Sequence, residues 1–144
     1  MTTTLTSASE FGEMWNDDDV EVSSGIRLCE APEEVWLEIL ALHPDLKVDI
    51  ASNKKLPDRV LELLASDANP RVRFWIAMKR RLPLHLFTAL SRDSDISVRQ
   101  TIAFNKSAPR EALEHLSIDE NDEIASKAKQ RLEEGDWRNY ASNT

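Results

Sequence analysis

Four prolines recur along the chain at intervals of 25, 26 and 26 residues, namely Pro32, Pro57, Pro83 and Pro109. Each proline opens a copy of one pattern of apolar and polar residues, and we number these copies as the first to fourth repeats. A segment this short cannot bury an apolar face by itself, so such repeats fold by stacking on their neighbours. The period therefore predicts an all-α fold, a right-handed α-solenoid of about five two-helix repeats.

Each repeat is predicted to contain two helices joined by a polar turn. The first helix starts at the proline, because the first helical position needs no N–H. Asn69, Asp95 and Asn121 stand at equivalent positions after the turn and are predicted N-caps of the second helix. Asn53 and Asn105 lie where that helix ends, and we predict left-handed caps there. The inward stripe of the second helix reads Val72, Ile76 and Ala77, then Val98, Ile102 and Ala103.

The repeats also define the domain organisation. The predicted parts are a disordered N-terminus (1–6), a single solenoid domain (7–134) and a C-terminal tail (135–144). Within the domain, residues 7–31 form a degenerate capping unit and residues 32–134 form the repeats, because a terminal repeat has one face without a neighbour. The tail holds Trp137 and Tyr140. The sequence leaves open whether they fold back as a cap or stay mobile.

Charge is distributed unevenly around a net value of −8. Residues 1–45 hold eleven acids and one base, residues 46–110 hold thirteen bases and six acids, and residues 111–144 hold nine acids and four bases. This balance argues against a dedicated nucleic-acid binder, although a basic patch alone would fit one. No stretch is long and apolar enough for a membrane helix, and the N-terminus lacks a secretion signal, so we expect a cytoplasmic protein. The lone Cys29 is expected to be a small buried residue.

One motif recurs almost unchanged in the middle of the chain. The pattern D-x-[ND]-x-x-V-R-x-x-I-A-x-N-x-x-x-P is complete in residues 93–109, and residues 67–83 match it with Lys79 in place of Asn. This resembles the short two-helix repeat of the HEAT-like and leucine-rich-repeat-variant families, over about residues 32–132. The resemblance implies an α-helical repeat protein that presents a surface to a partner.

The whole layout also resembles small bacterial repeat proteins, some of which are immunity proteins against polymorphic or contact-dependent toxins. The features that carry this resemblance are Glu10-Phe11 in an acidic N-terminal helix, Ala31-Pro32-x-x-Val35-Trp36, and the three repeats that follow. It implies a protein that neutralises a bacterial toxin domain by direct binding. The alternatives are a general interaction scaffold and a DNA-binding, DNA glycosylase-like repeat protein, because the same repeat class includes proteins that process alkylated DNA bases.

Arg73 and Arg99 occupy one repeat position, with Lys47 in register, and allow two interpretations. They could form a ladder of cations that binds a ligand. Alternatively, each pairs with an acid of its own turn, such as Asp67 or Asp93. We favour the structural role, because the arginines recur with the period of the fold.

Residues on the second helix that avoid the inward stripe are the candidates for partner binding. That helix is expected to line the concave face, and aromatic residues are common among binding hot spots. Phe74 and Phe104 could equally pack between adjacent helices, whereas Trp75 is expected to be partly exposed. The predicted partner-binding residues are Asp49, Ser52, Phe74, Trp75, Met78, Lys79, Arg80, Thr101 and Phe104.

No catalytic constellation stands out, so we expect a protein that is not an enzyme and needs no cofactor or metal. The sequence has no HExxH, CxxC, GxSxG or phosphate-binding glycine loop. The run Asp17-Asp18-Asp19 lacks the spacing of a calcium loop and is interpreted as a solvated turn. The expected partner is another protein, and the resemblance to immunity proteins implies a toxin domain. The free protein is expected to be a monomer.

Overall fold

The computed structural model describes residues 3–15, 25 and 27–140. Over these residues the chain is helical, and the all-α prediction is confirmed. Apart from the helices, the described residues form only two isolated bridges, Thr4 with Glu30 and Pro109 with Arg138. The helices are α1 Ala8–Trp15, α2 Glu33–Leu42, a 3₁₀ helix Pro44–Leu46, α3 Lys47–Ala51, α4 Asp58–Ala65, α5 Pro70–Ala77, α6 Leu84–Leu90, α7 Ile96–Phe104, α8 Arg110–Leu116 and α9 Asp122–Glu134.

The chain divides into two compact units, Met1–Ser66 and Asp67–Thr144, and each is described by itself. The single solenoid domain over residues 7–134 stays a prediction. The boundary falls between the two helices of the second repeat, α4 and α5. Most of the second half of the predicted capping unit, residues 16–24 and 26, lies outside the described residues.

The turns between helices follow the predicted capping pattern. Asn69 and Asp95 accept hydrogen bonds from backbone N–H groups in the first turns of α5 and α7, and Asn121 accepts one from Ile124 N–H. Each repeat proline stands one position earlier than predicted. Pro57, for example, has an extended ψ of 157°, and α4 therefore begins at the following residue. The long helix α9 ends at Gly135, whose φ of 69° favours glycine.

The first compact unit is built around Trp36, which is fully buried. The Phe11 ring of α1 meets its edge, with ring centroids 6.4 Å apart. Leu5 belongs to the segment predicted as disordered, but its side chain is buried and its N–H donates to Glu30 O at 2.6 Å. Cys29 is fully buried, as predicted, and burial raises the pKa of its thiol to about 11.

The second compact unit has two layers of helices. The second helices of successive repeats, α5, α7 and α9, contact one another in that order, and α6 and α8 form the other layer. The stripe residue Ile76 and its equivalent Ile102 are fully buried, as predicted. The inward positions of α6 and α8 are buried in the same register: Leu86, Phe87 and Leu90, then Ala112, Leu113 and Leu116. Burial of the repeated apolar face therefore holds this unit together.

The prediction of left-handed caps at Asn53 and Asn105 is wrong. No described residue other than glycine has a positive φ, and Asn105 has φ −72° and ψ 116°. Its amide is buried instead, and Nδ2 donates to Ala77 O and Lys79 O at 2.7 and 2.9 Å. These carbonyls belong to the preceding repeat. The asparagine side chain therefore supplies hydrogen bonds to carbonyl groups at the end of α5 and does not cap its own helix.

Arg131 performs the same task in the fourth repeat. It lies 26 residues after Asn105, and its Nη1 donates to Ala103 O and Asn105 O at 2.9 and 2.8 Å. In the first compact unit, Asn53 Nδ2 donates to Cys29 O at 3.0 Å. In the third and fourth repeats, one repeat position therefore closes the end of the preceding second helix, with two different side-chain types.

The buried stripe yields a stability prediction for Ile76→Asp. An unpaired carboxylate at a fully buried position should cost roughly 4 kcal/mol or more and unfold most of the second compact unit. Circular dichroism at 222 nm with a thermal melt measures this loss. Ile96→Asp is the matched control, because Ile96 is 48% exposed at the start of α7, where an acid is favourable. If the two variants melt alike, the stripe is not what stabilises the unit.

Candidate functional site

A groove of about 300 Å³ lies between α5 and α7 in the second compact unit, and we call it the α5/α7 groove. Phe74 and Met78 are four residues apart at one wall, and Thr101 and Phe104 are three apart at the other. This spacing places each pair on one face of its helix. The inward stripe uses the other face, so these side chains are left at the surface. The full lining is Phe74, Met78, Arg80, Thr101, Phe104 and Asn105.

The groove exposes two large apolar side chains. Met78 is 50% and Phe104 is 49% exposed, and Phe74 is half-buried. The Lys127 ammonium of α9 lies 5.1 Å from the centroid of the Phe104 ring, within range of a cation–π interaction. Phe104 therefore has a cation at its ring while half of its surface faces solvent.

Two of the three polar side chains in the groove are already hydrogen-bonded within the fold. The Thr101 hydroxyl donates to Ser97 O at 2.7 Å. The Asn105 amide bonds the end of α5, and its Oδ1 accepts from Ser107 N–H at 2.9 Å. Arg80 differs, because its guanidinium makes no ion pair or hydrogen bond within the described chain. The groove thus offers one uncommitted charged donor beside an apolar floor.

The structure brings together five of the nine residues predicted to bind a partner: Phe74, Met78, Arg80, Thr101 and Phe104. Trp75 is half-buried, as expected, but it meets Phe74 edge-on at 6.0 Å and does not line the groove. Lys79 is half-buried, and its carbonyl accepts the hydrogen bond from Asn105. A binding role for all of these residues stays a prediction.

The other two predicted residues belong to the first compact unit. Asp49 is exposed on α3, and Ser52 Oγ donates to Asp49 O at 2.6 Å. This bond is local to one helix end. The α5/α7 groove therefore rests on residues of the second compact unit alone.

Sequence reasoning missed two residues of this surface, Asn105 and Lys127. Asn105 lines the groove but was predicted to cap a helix, and for that reason it was not counted among the partner-binding residues. Lys127 stands 26 and 52 residues after Thr101 and Trp75, at the same repeat position. Extending the candidate positions into the fourth repeat would have found it.

Arg73 and Arg99 have the structural role that we favoured, but their acids come from the next repeat. Arg73 Nε and Nη2 donate to the Asp93 carboxylate at 2.7 and 2.9 Å. Arg99 Nε donates to the Asp119 carboxylate at 2.8 Å. Each Nη1 donates to a carbonyl of the arginine's own turn, Asp67 O or Asp93 O. The arginines therefore join successive turns and are committed to the fold.

These pairs control the ionisation of the two acids. Burial by itself would raise the pKa of Asp93, but hydrogen bonds from Arg73 and from Asp95 N–H outweigh it and hold the pKa below the ordinary 3.8. The pKa of Asp119 is lowered in the same way: burial opposes, and bonds from Arg99 and Asn121 N–H prevail. Both carboxylates are therefore fully charged near neutral pH.

Residues 136–140 of the C-terminal tail fold back on the second compact unit, so Trp137 and Tyr140 form the cap that the sequence left as one of two possibilities. The Tyr140 hydroxyl donates to Ser107 O at 2.8 Å, and its ring centroid lies 6.3 Å from that of Phe87. The Arg110 guanidinium lies 5.5 Å from the centroid of a Trp137 ring. Residues 136–140 therefore act as a strap along the turn before α8.

The described residues carry no group of three or more metal-ligating side chains, and the run Asp17–Asp19 lies outside them. Within that same part of the chain, every helix is too short or too polar to cross a membrane. Comparisons with protein-family models, with curated proteins and with solved structures each gave no significant match.

The Arg–Asp pairs predict a defined dependence of stability on pH. Because folding lowers the pKa of Asp93 and Asp119, their stabilisation is present above the ordinary value of 3.8 and is lost as pH falls through the lower folded values. The free energy of unfolding, from urea titrations at pH 6 down to about pH 2.5, should therefore decline below about pH 4.

The variant Asp93→Asn distinguishes the contribution of the Arg–Asp pairs to the free energy of unfolding from the general effect of protonating other acids at low pH. At neutral pH the variant should lose about 1–3 kcal/mol, because Arg73 keeps only a neutral partner. Its decline at low pH should be shallower than that of the parent protein. Asp119→Asn, at the equivalent position, should flatten the curve similarly. An unchanged slope in both variants would show that the pairs do not stabilise the fold.

Proposed function

We propose that the chain is a protein-binding helical-repeat module, a right-handed solenoid of about five two-helix repeats. Two features support the solenoid. The buried positions recur with the proline period, and in the second compact unit each second helix contacts the one from the next repeat. An array of this kind presents neighbouring helices as one continuous surface. The α5/α7 groove is the proposed contact site on that surface.

The observation that carries the proposal is the half-exposed pair Met78 and Phe104 in a groove with an uncommitted arginine. Large apolar side chains that stay exposed in a folded chain commonly mark interaction sites. Aromatic and arginine side chains are enriched among residues that dominate binding energy. Phe104 and Arg80 belong to these two types, so burial by a partner would place favourable contacts at the centre of an interface.

The specific form of the proposal is neutralisation of a bacterial toxin domain by direct binding. Its support is the resemblance in layout to small immunity proteins, together with the charge distribution. Residues 1–45 and 111–144 are strongly acidic. Acidic segments can approach the basic substrate cleft of a nuclease toxin, and complementary charge speeds such encounters. The groove would then supply the desolvated anchor, and bound toxin would be unable to admit its substrate.

The test is whether this protein protects cells from the product encoded directly upstream. That product is expressed in cells that contain this protein and in cells that lack it, and survival is compared. The upstream product should be toxic alone and harmless together with the intact chain. Phe104→Ala should weaken binding by about 2 kcal/mol or more and reduce protection, because it removes the anchor. Affinity is measured by calorimetry on the purified pair, and thermal melts verify that each variant is folded.

Ile96→Ala is the matched control. Ile96 and Phe104 stand at opposite ends of α7 with exposures of 48% and 49%, and only Phe104 lines the groove. Unchanged affinity and protection in both Phe104→Ala and Trp75→Ala would show that the proposed surface is wrong. A harmless upstream product would remove the immunity function and leave the interaction scaffold. Binding to duplex DNA that weakens with salt would support the glycosylase-like alternative instead.

A further inference from the structure

We infer that the α5/α7 groove recognises an acidic segment of its partner, one that inserts a single apolar side chain between flanking carboxylates. The inference rests on the proposed function, because it specifies the chemistry of the partner at the same groove. It adds that the partner segment in the groove is negatively charged. The overall charge distribution of the chain does not decide this, because the chain has both acidic and basic parts.

Arg80 and Lys127 differ from the three structural arginines of the second compact unit. Arg73, Arg99 and Arg131 each pair with a carboxylate and bond backbone carbonyls, so they are committed to the fold. Arg80 and Lys127 make no ion pair with any acid of the described chain. Arg80 lines the groove and Lys127 lies against the Phe104 ring, so two cations that make no ion pair among the described residues give this site a local positive potential, although the chain as a whole is acidic.

Lys106 is a further cation next in sequence to the groove. It is exposed, follows the lining residue Asn105, and makes no ion pair within the described chain. Arg80 and Lys106 follow the ends of α5 and α7, and Lys127 lies on α9. A carboxylate of the partner could therefore pair with a cation from any of these three segments.

The apolar floor determines the rest of the segment. A volume of about 300 Å³ is at the lower end of the range for ligand pockets, and it suits one large side chain of a partner rather than a whole small molecule. Met78 adapts to differently shaped side chains, whereas Phe104 offers a flat ring with a cation beside it. An aromatic, leucine or methionine anchor fits this lining.

A single-stranded nucleic acid is the competing occupant, because it also combines negative charge with flat rings. Such ligands need a positive track with several stacking platforms. In the groove, Phe104 is half-exposed and Phe74 is half-buried, so one ring is open to stacking. A single platform falls short of the several that a single strand needs, so an acidic peptide segment is favoured.

The experiment selects peptides from a random displayed library on the full chain, with counter-selection on the Arg80→Glu, Phe104→Ala double variant. The enriched sequences should contain Asp or Glu on both sides of an aromatic, leucine or methionine residue. A labelled synthetic peptide of the consensus sequence then gives affinities by fluorescence anisotropy. Binding should weaken with added salt, since the pairs are exposed.

Single variants identify the cations. Arg80→Glu and Lys127→Glu should each weaken binding of the consensus peptide by about tenfold or more, because a repelling charge replaces an attracting one. Arg71→Glu is the matched control and should leave the affinity nearly unchanged. Arg71 is an exposed arginine on α5 that makes no ion pair within the described chain and does not line the groove.

Three results would overturn the inference: enriched peptides without acids, no enrichment relative to the double variant, or equal weakening by Arg71→Glu. Displacement of the peptide by a short oligo-dT strand with higher affinity would assign the groove to nucleic acid. The proposed function fails separately. A partner lost in Phe104→Ala but unaffected by Arg80→Glu and Lys127→Glu would keep the protein-binding function and remove the acidic segment.

Discussion

Burial of one repeated apolar face between neighbours is the constraint on which the second compact unit depends. Neither helix of a repeat is longer than thirteen residues, and isolated helices of that length are marginal in water. Packing must therefore stabilise them, and Ile76 and Ile102 lose all solvent contact by packing in register. The polar contacts follow the same register. Asn105 and Arg131 each close a helix end of the preceding repeat, and Arg73 holds the turn of the next.

The groove is a consequence of that register. Positions that face the neighbours are restricted to apolar residues of suitable size, whereas positions on the outer side of α5, α7 and α9 carry no such restriction. At one outer position the repeats hold Trp75, Thr101 and Lys127, and at another they hold Met78 and Phe104. This variety within a constant frame is what a recognition surface requires. The structural arginines pair with acids of the next repeat or of the tail, whereas Arg80 makes no ion pair with the described residues.

Most of the helical pattern could be predicted from the sequence, because burial, prolines and N-caps act locally and repeat. The role of Asn105 could not. Its left-handed cap was a local inference, whereas the actual partners, Ala77 O and Lys79 O, become visible only once α5 and α7 are placed side by side. The arginine pairs show the same limit: the acid was predicted correctly in type but lies one repeat further on. Phe74, Met78, Thr101 and Phe104 were found because they share the outer face of their helices, and Arg80 was found because it follows α5 in the chain.

The central claim is that one register generates both the buried face and the outer surface, and an inserted repeat tests it most directly. With a second copy of Pro83–Ala108 placed after Ala108, the first copy keeps the second repeat before it and the second copy keeps the fourth repeat after it. The one new interface joins the two copies, with Arg99 of the first facing Asp93 of the second. We expect the mean residue ellipticity at 222 nm to be unchanged and the thermal midpoint not to fall, because the new interface keeps the same register of buried positions. A fall in ellipticity in proportion to the added residues, with proteolysis confined to the insert, would contradict it.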